Sequence, residues 1–412
     1  MFTIGNFPMT IRESMKVLLT KKTTIKMNRY TTINYLTNNI VDKDVQTMLY
    51  PLNLVKVLSF TPRYRLKDDT IQPNTFRWNI MFLTVTLFII ILFIFRYIET
   101  CNSNVTGDTF FMFLIYNFDL VFYTAGFIMN YLTGLFKLKK SIEFVLVFQN
   151  VHRFINDSSI SKSFIVWNWI YLISGCILYM FLFTIIFIYV RLNLIIFLST
   201  FLLIVFDLNE IYAIRVLKLL QIKFVLWNNR ILYVYGTKFE RRNYNQRLYQ
   251  AYVDILKCYN IHRDCVQYHV FYYINLVFIY NLIDVEILIE SLQNDLTYND
   301  IYIPLFKNMK MFGTLCAVSW MLKNCIWQTI LNWQCEQFYT AVQKSQDVCA
   351  VILMSDCADD KKQLCKNVLR LHRASFSKIR VCGLFYLDAA LQLSLMSLVT
   401  NYTIVLLQFA LL

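Results

Sequence analysis

A chain of 412 residues that is 57% hydrophobic, 17% aromatic and only 16% charged, with a mean hydropathy of +0.47, is too apolar for an ordinary soluble domain, since those average about 45–50% apolar. Its net charge of +14 does not call for a nucleic-acid partner. The bases are spread over connections between apolar runs, and attraction to anionic membrane lipid accounts for them.

Taken in chain order, the first 30 residues hold Lys16, Lys21, Lys22, Lys26 and Arg29 without a continuous apolar core. No cleavable signal peptide is expected, and residues 1–78 read as a cytoplasmic N-terminal region. Apolar runs long enough to cross a bilayer then recur. Residues 79–213 hold four predicted spans, at 80–98, 110–132, 164–190 and 194–213. Residues 214–268 form a connection with Leu217, Leu220, Phe224 and Trp227 at helical spacing. Residues 269–331 hold two more spans, at 269–289, ending among Asp284 and Glu286, and at 310–331, which contains Lys323. In the next connection, 332–380, Leu364, Val368, Leu371 and Phe376 again repeat helically, and a helix over 361–380 is expected to lead into a last span at 383–412. The fold class is therefore an all-α membrane protein with seven transmembrane helices, whose two long connections are helical extensions below the membrane.

Loop charge orients these spans. The segments 1–78, 135–163, 214–268 and 332–380 carry 12, 5, 10 and 8 Lys/Arg, while the alternate loops carry only Arg191. The positive-inside rule then puts the N-terminus in the cytoplasm and, with seven spans, the C-terminus outside. That orientation opposes a G-protein-coupled receptor. A transporter is disfavoured because paired repeats and broken mid-membrane helices are not seen. Asn104-Val105-Thr106 is a glycosylation acceptor in the first outer loop.

Signs of enzyme chemistry are lacking. The four histidines form no H-x-x-H pair, and the eleven cysteines form no C-x-x-C pair. His262 lies near Cys258 and Cys265, but no second cluster supplies further ligands for a metal. Neither a phosphate-binding loop nor a nucleophile elbow is present. No cofactor or metal is expected.

Intramembrane polarity remains. Asp119, Asp207, Asp284, Glu286 and Asp388 fall in or near predicted spans, where each acid needs a partner or water. Asp119 and Asp284 lie in outer halves of their helices, with Tyr116, Tyr123, Tyr179, Tyr280 and Asn281 nearby. Tyrosine rings with a few polar groups suit an outward-facing pocket for a small organic molecule; ordinary helix packing is the competing reading. Asp388 is expected to bond a neighbouring helix, with Lys323 or a cytoplasmic Arg as partner. In the last span Ser394, Ser397, Asn401 and Gln408 fall within a strip about 60° wide at about 100° per residue. An apolar helix with one thin polar stripe suits the wall of a pore, or a bundle interior where small polar residues bond across.

This last segment also resembles a known family. Tyr402, five mostly apolar residues, Gln408 and Phe409 are similar to the terminal signature of insect gustatory receptors, with Asn401 where that pattern has Thr. Gly383, Phe385, Leu387 and Asp388 resemble the family's lead-in to the same helix. The resemblance implies a ligand-gated, non-selective cation channel in the plasma membrane of chemosensory neurons. It implies four copies, alike or mixed with related subunits, each giving its last helix to one pore, with the cytoplasmic extensions as an anchor. Gln408 and Phe409 would narrow the outer pore, and Asn401, Ser397 and Ser394 would line it below. The ligand would be a small-molecule tastant held among the tyrosines and acids named above. A weakly polar aromatic pocket suits a bitter plant compound, with a sugar-gated or odorant receptor as the alternative.

Overall fold

In hydrocarbon a backbone must satisfy its own hydrogen bonds, so long apolar runs become helices. The computed structural model describes residues 39–61, 64–67, 69–103, 110–190, 194–232, 238–297 and 304–411. Helix α1 covers Lys43–Leu58, followed by a short hairpin of β1 (Arg65–Lys67) and β2 (Thr70–Gln72). Then come α2 (Phe76–Ser103), α3 (Phe110–Phe136), α4 (Leu138–Phe154), α5 (Ser158–Val190), α6 (Leu194–Phe201) and α7 (Ile204–Leu232). Two very long helices follow, α8 (Lys238–Thr297, 60 residues) and α9 (Pro304–Met354, 51 residues). The described chain closes with α10 (Asp359–Ser375), a hairpin of β3 (Arg380–Val381) and β4 (Phe385–Tyr386), and α11 (Ala389–Leu411).

Five of the seven predicted spans fall wholly within single helices of this set, while the 194–213 span is divided between α6 and α7 and the 383–412 span begins ahead of α11. Among the described residues, five stretches are long and apolar enough to cross a bilayer: Phe76–Glu99, Ser158–Phe181, Leu194–Leu232, Arg242–Ile289 and Ala389–Gln408. The predicted spans at 110–132 and 310–331 lie in α3 and α9. At about 1.5 Å per residue α8 runs roughly 90 Å and α9 roughly 75 Å, against a hydrocarbon core of about 30 Å. Both therefore continue far beyond any bilayer. Rows of exposed apolar side chains, such as Leu87, Phe88, Ile91 and Phe95 on α2 and Ile173, Ile177 and Phe181 on α5, fit a lipid-facing surface.

Three details depart from expectation. The 194–213 span is interrupted after Phe201 by a turn in which Leu203 N–H donates to the Thr200 carbonyl at 3.1 Å. The helix expected over 361–380 ends at Ser375. The last helix starts at Ala389 rather than at 383, because the β3–β4 hairpin intervenes. Its turn holds Cys382 at φ 46° and Gly383 at φ 78°, the left-handed pair that a tight hairpin turn requires and that glycine adopts without strain. Asp388 then caps α11, accepting from Ala390 and Leu391 N–H at 3.1 and 3.3 Å, and lies 3.4 Å from Lys378. Of the two partners expected for Asp388, Lys323 pairs with Asp207 instead, and the base beside Asp388 is Lys378 rather than an Arg.

The largest core joins α4, α7, α8, α9 and α10, with α1 and the β3–β4 hairpin against it. Phe148, Leu220, Phe224, Trp227, Tyr252, Tyr259 and Phe338 are fully buried within it. Tyr339 pins the hairpin, accepting from Ile379 N–H at 3.0 Å and donating to the Leu387 carbonyl at 3.1 Å. On the rim, Arg153 grips Asp42 through two nitrogens at 2.6 and 2.7 Å, which lowers the Asp42 carboxyl below its ordinary value.

His152 is buried on α4 with Lys223 Nζ 3.0 Å from its Nδ1. Burial first, then the Lys223 charge, hold the imidazole down to about 4; Asp44 and Asp42 pull weakly the other way. An unfolded histidine titrates near 6.5. Between about pH 6.5 and 4 the unfolded chain therefore takes a proton that the folded chain refuses, and stability falls with pH over that window, by on the order of 2 kcal/mol. Amide protection factors across 144–155, taken relative to the intrinsic exchange rate at each pH, should fall on acidification, and His152→Gln should flatten that profile. A wild-type profile that is already flat would remove His152 as the cause.

Candidate functional site

Helix α11 lies against α8 and α9 along one edge. Its partly covered residues are Leu391, Gln392, Leu395, Val399, Thr403 and Leu406, while Ser394, Ser397, Asn401 and Gln408 are exposed. At about 100° per residue, the middle of the covered row and the middle of the polar strip are about 160° apart. The strip thus points away from the body of its own chain. None of the residues in the apolar window of this helix is buried, and Leu393, Ile404 and Val405 stand exposed beside the strip. Such a surface needs lipid or other chains against it. Two of its hydroxyls bond back along the helix, Ser394 to Ala390 and Thr400 to Met396 at 3.0 and 2.8 Å. Tyr402 meets Phe278 of α8 edge-on, with ring centroids 6.4 Å apart. The side chain of Phe409 lies outside the described residues.

The residues predicted to share a ligand pocket divide among separate neighbourhoods. Asp119 on α3, Tyr123 on α3 and Tyr280 on α8 come together. The Tyr280 hydroxyl donates to Asp119 Oδ1, the Tyr123 and Tyr280 rings stack at 5.5 Å, and Arg96 Nη2 of α2 reaches Asp119 Oδ2 at 3.2 Å. Phe93, Phe127, Phe206 and Tyr272 pack around them. A Cβ on Gly126 would strike the Tyr272 and Phe206 rings, so glycine there permits the close approach of α3 to α7 and α8. Arg96 is a charge inside the predicted 80–98 span, and a base within an apolar run is the signal in the sequence that marks it as a partner for an intramembrane acid.

Tyr179 on α5 belongs to a second group. It donates to the Thr200 carbonyl at 3.2 Å and stacks on Phe183 at 4.6 Å, with Trp320 of α9 alongside. Next to it Lys323 of α9 pairs with Asp207 of α7 at 2.7 Å, and the Tyr273 hydroxyl donates to the other Asp207 oxygen at 3.3 Å. The Lys323 ammonium sits 4.0 Å from the Trp320 ring centroid. A cavity of about 30 Å³ lies between Tyr179, Asp207, Lys323 and Trp327, the share of a single water. Asn281, one residue beyond Tyr280, points instead to a cavity of about 160 Å³ against α11. Asp284 is buried on α8, and its Oδ2 accepts no hydrogen bond among the described residues. The Tyr116 side chain and Asn104 lie outside the described residues. Among the described residues no three His, Cys, Asp or Glu side chains are placed to share a metal ion.

By sequence the chain matches no protein-family profile and no curated protein. By structure it is similar to the insect olfactory receptor OR5 from Machilis hrabei, solved in complex with eugenol. The superposition has a TM-score of 0.53 at 12% identity and covers 89% of this chain and 100% of the receptor. At that identity the likeness is one of fold.

Proposed function

We propose that this protein is a subunit of an insect chemoreceptor channel of the gustatory type, a ligand-gated, non-selective cation channel opened by an external tastant. The observation that carries the reading is the last helix: packed along one edge, with Ser394, Ser397, Asn401 and Gln408 on the opposite side. Four copies arranged with these strips inward, in a homotetramer or with related subunits, would line one water-filled path with neutral dipoles. Gln408 and Phe409 would narrow its outer end, where a ring of phenyl groups blocks ions by excluding water. Support comes from the Tyr402–Gln408–Phe409 signature and from a fold shared with an olfactory receptor.

The tastant would bind among spans 2 to 6, beside the Asp119–Tyr123–Tyr280 and Tyr179 groups. The aromatic lining favours a bitter plant compound, and that the olfactory receptor was solved with eugenol is in keeping with a small aromatic ligand. The same likeness favours a second reading, an odorant-gated channel of the same architecture. In either case the ligand must bind the open state more tightly than the closed one. The channel would work in the plasma membrane of chemosensory neurons, as a multi-pass protein whose Lys/Arg-rich connections lie against anionic lipid inside.

Outside-out patches from cells expressing this chain, with no nucleotide in the pipette, test the reading. A fast, reversible cation current on applying bitter compounds or volatile aromatics is expected. Phe409→Ala should raise ligand-free leak several-fold at equal surface expression. Unchanged leak would take Phe409 out of the gate, and currents that need intracellular nucleotide would replace the channel by a metabotropic receptor.

A further inference from the structure

The cavity of about 160 Å³ beside α11 lies apart from the Asp119–Tyr123–Tyr280 group. Its apolar wall is Val277 and Phe278 of α8, Met321 of α9, and Leu395, Met396 and Val399 of α11. Its polar wall is Asn281 of α8, Gln328 of α9, and Gln392 and Thr400 of α11, with the Cys325 thiol. None of these side chains is ionised. Gln328 is 1% exposed and Asn281 6% exposed, and in each the side-chain carbonyl oxygen accepts no hydrogen bond from the described residues. Buried amide oxygens without a donor are uncommon and costly. A cavity of about 150 Å³ accommodates benzene.

We propose that this cavity is a second ligand site, for a neutral molecule of single-ring size that carries one hydroxyl or N–H donor. The ring fits the volume and the methionine-rich wall, where sulfur lies favourably against an aromatic edge. The donor meets Gln328 Oε1, the more deeply buried of the two open amide oxygens. A charged ligand would leave its charge unpaired in an apolar wall and is excluded.

Occupancy also reaches the last helix. Gln328 Nε2 donates to Asn332 Oδ1 at 3.4 Å, and Asn332 Nδ2 donates to Gln392 Oε1 of α11 at 3.1 Å. A ligand hydrogen bond on Gln328 therefore acts on a relay of amides that ties α9 to α11, while the ring braces Val399 and Met396. Through this relay the bound molecule shifts the ligand concentration that opens the pore, a consequence that rests on the channel reading given above.

The test separates the two claims. Purified full-length protein in lipid nanodiscs is titrated with 4-fluorophenol and with fluorobenzene, followed by ¹⁹F ligand-observed NMR. Saturable binding of both is expected, tighter for the phenol. Gln328→Leu should weaken 4-fluorophenol about 5–10-fold, the worth of one buried hydrogen bond, and leave fluorobenzene within about two-fold. Asn281→Leu should weaken 4-fluorophenol less than Gln328→Leu does, and the reverse order would overturn the relay through Gln328. Val399→Trp, which fills the space, should abolish specific binding of both. Absence of saturable phenol binding to the wild type, or binding that survives Val399→Trp in folded protein, overturns the site. In patches, 4-fluorophenol should move the half-maximal agonist concentration for the wild type and not for Val399→Trp. Binding without that shift would overturn the coupling to α11 and leave the site standing, and a chain that binds but never conducts would count against the channel reading alone.

Discussion

Lys323→Met is expected to destabilise the protein by about 3–5 kcal/mol, because it strands Asp207 as an unpaired buried charge. The two side chains are 10% and 8% exposed and their charged atoms lie 2.7 Å apart. The pair bridges α9 and α7, so the loss falls on the contact between two central helices. Tyr273 still donates to Asp207 in the variant, which moderates the cost without replacing a full positive charge. Adding Asp207→Asn to Lys323→Met removes the stranded charge and should recover at least half of the loss. Thermal midpoints by fluorescence-detected gel filtration, for both single variants and the double, give the coupling directly. A single Lys323→Met variant that melts with the wild type would mean that the pair contributes nothing to the helix contact.

Trp227→Ala should be comparably damaging, about 3–5 kcal/mol, by a different route. The indole is fully buried in the large core, 4.9 Å from the Tyr252 ring, and its Nε1 donates to the Leu248 carbonyl at 2.8 Å. Truncation opens a cavity between α7 and α8 and removes that donor. Val225→Ala on the same helix, at an exposed position, is the control and should change stability by less than about 0.5 kcal/mol. Equal melting of both variants would mean that this core relaxes around the lost ring. Because the residues sit beyond the predicted 194–213 span, the damage should appear in protease resistance of the extra-membrane helices before the apolar bundle loosens.

The parts of this fold that lipid dictates were readable in the sequence. Each apolar run became helix because a bilayer leaves the backbone no alternative, and the long connections were recognised from the helical recurrence of Leu217, Leu220, Phe224 and Trp227. Helices α1 and α4 escaped notice, although Val45, Met48, Leu49, Leu52 and Val55 are spaced for one buried face. Set against longer and more apolar neighbours, such short runs register only as loop charge. Pairing across distance was not readable: Asp207 and Lys323 are 116 residues apart, and nothing local to Lys323 prefers Asp207 to Asp388. The pocket residues divided for a geometric reason. Tyr280 and Asn281 are adjacent in sequence, yet adjacent helical positions diverge by about 100°, and one meets α3 while the other meets α11. The polar strip on α11, by contrast, depended only on helical spacing and lies on the uncovered side of its helix.

The hairpin ahead of the last helix sets how motion can pass through the molecule. Had α10 run straight into α11, a twist imposed on the shaft would have turned the whole rod, extra-membrane part included. The chain between Ser375 and Ala389 instead turns back on itself at Cys382 and Gly383, and the Tyr339 hydroxyl, bonded to the chain on either side of that turn, ties it to α9. The direction of α11 is therefore set by the hairpin and by α9, to which Asn332 also ties it through Gln392, and not by the axis of α10.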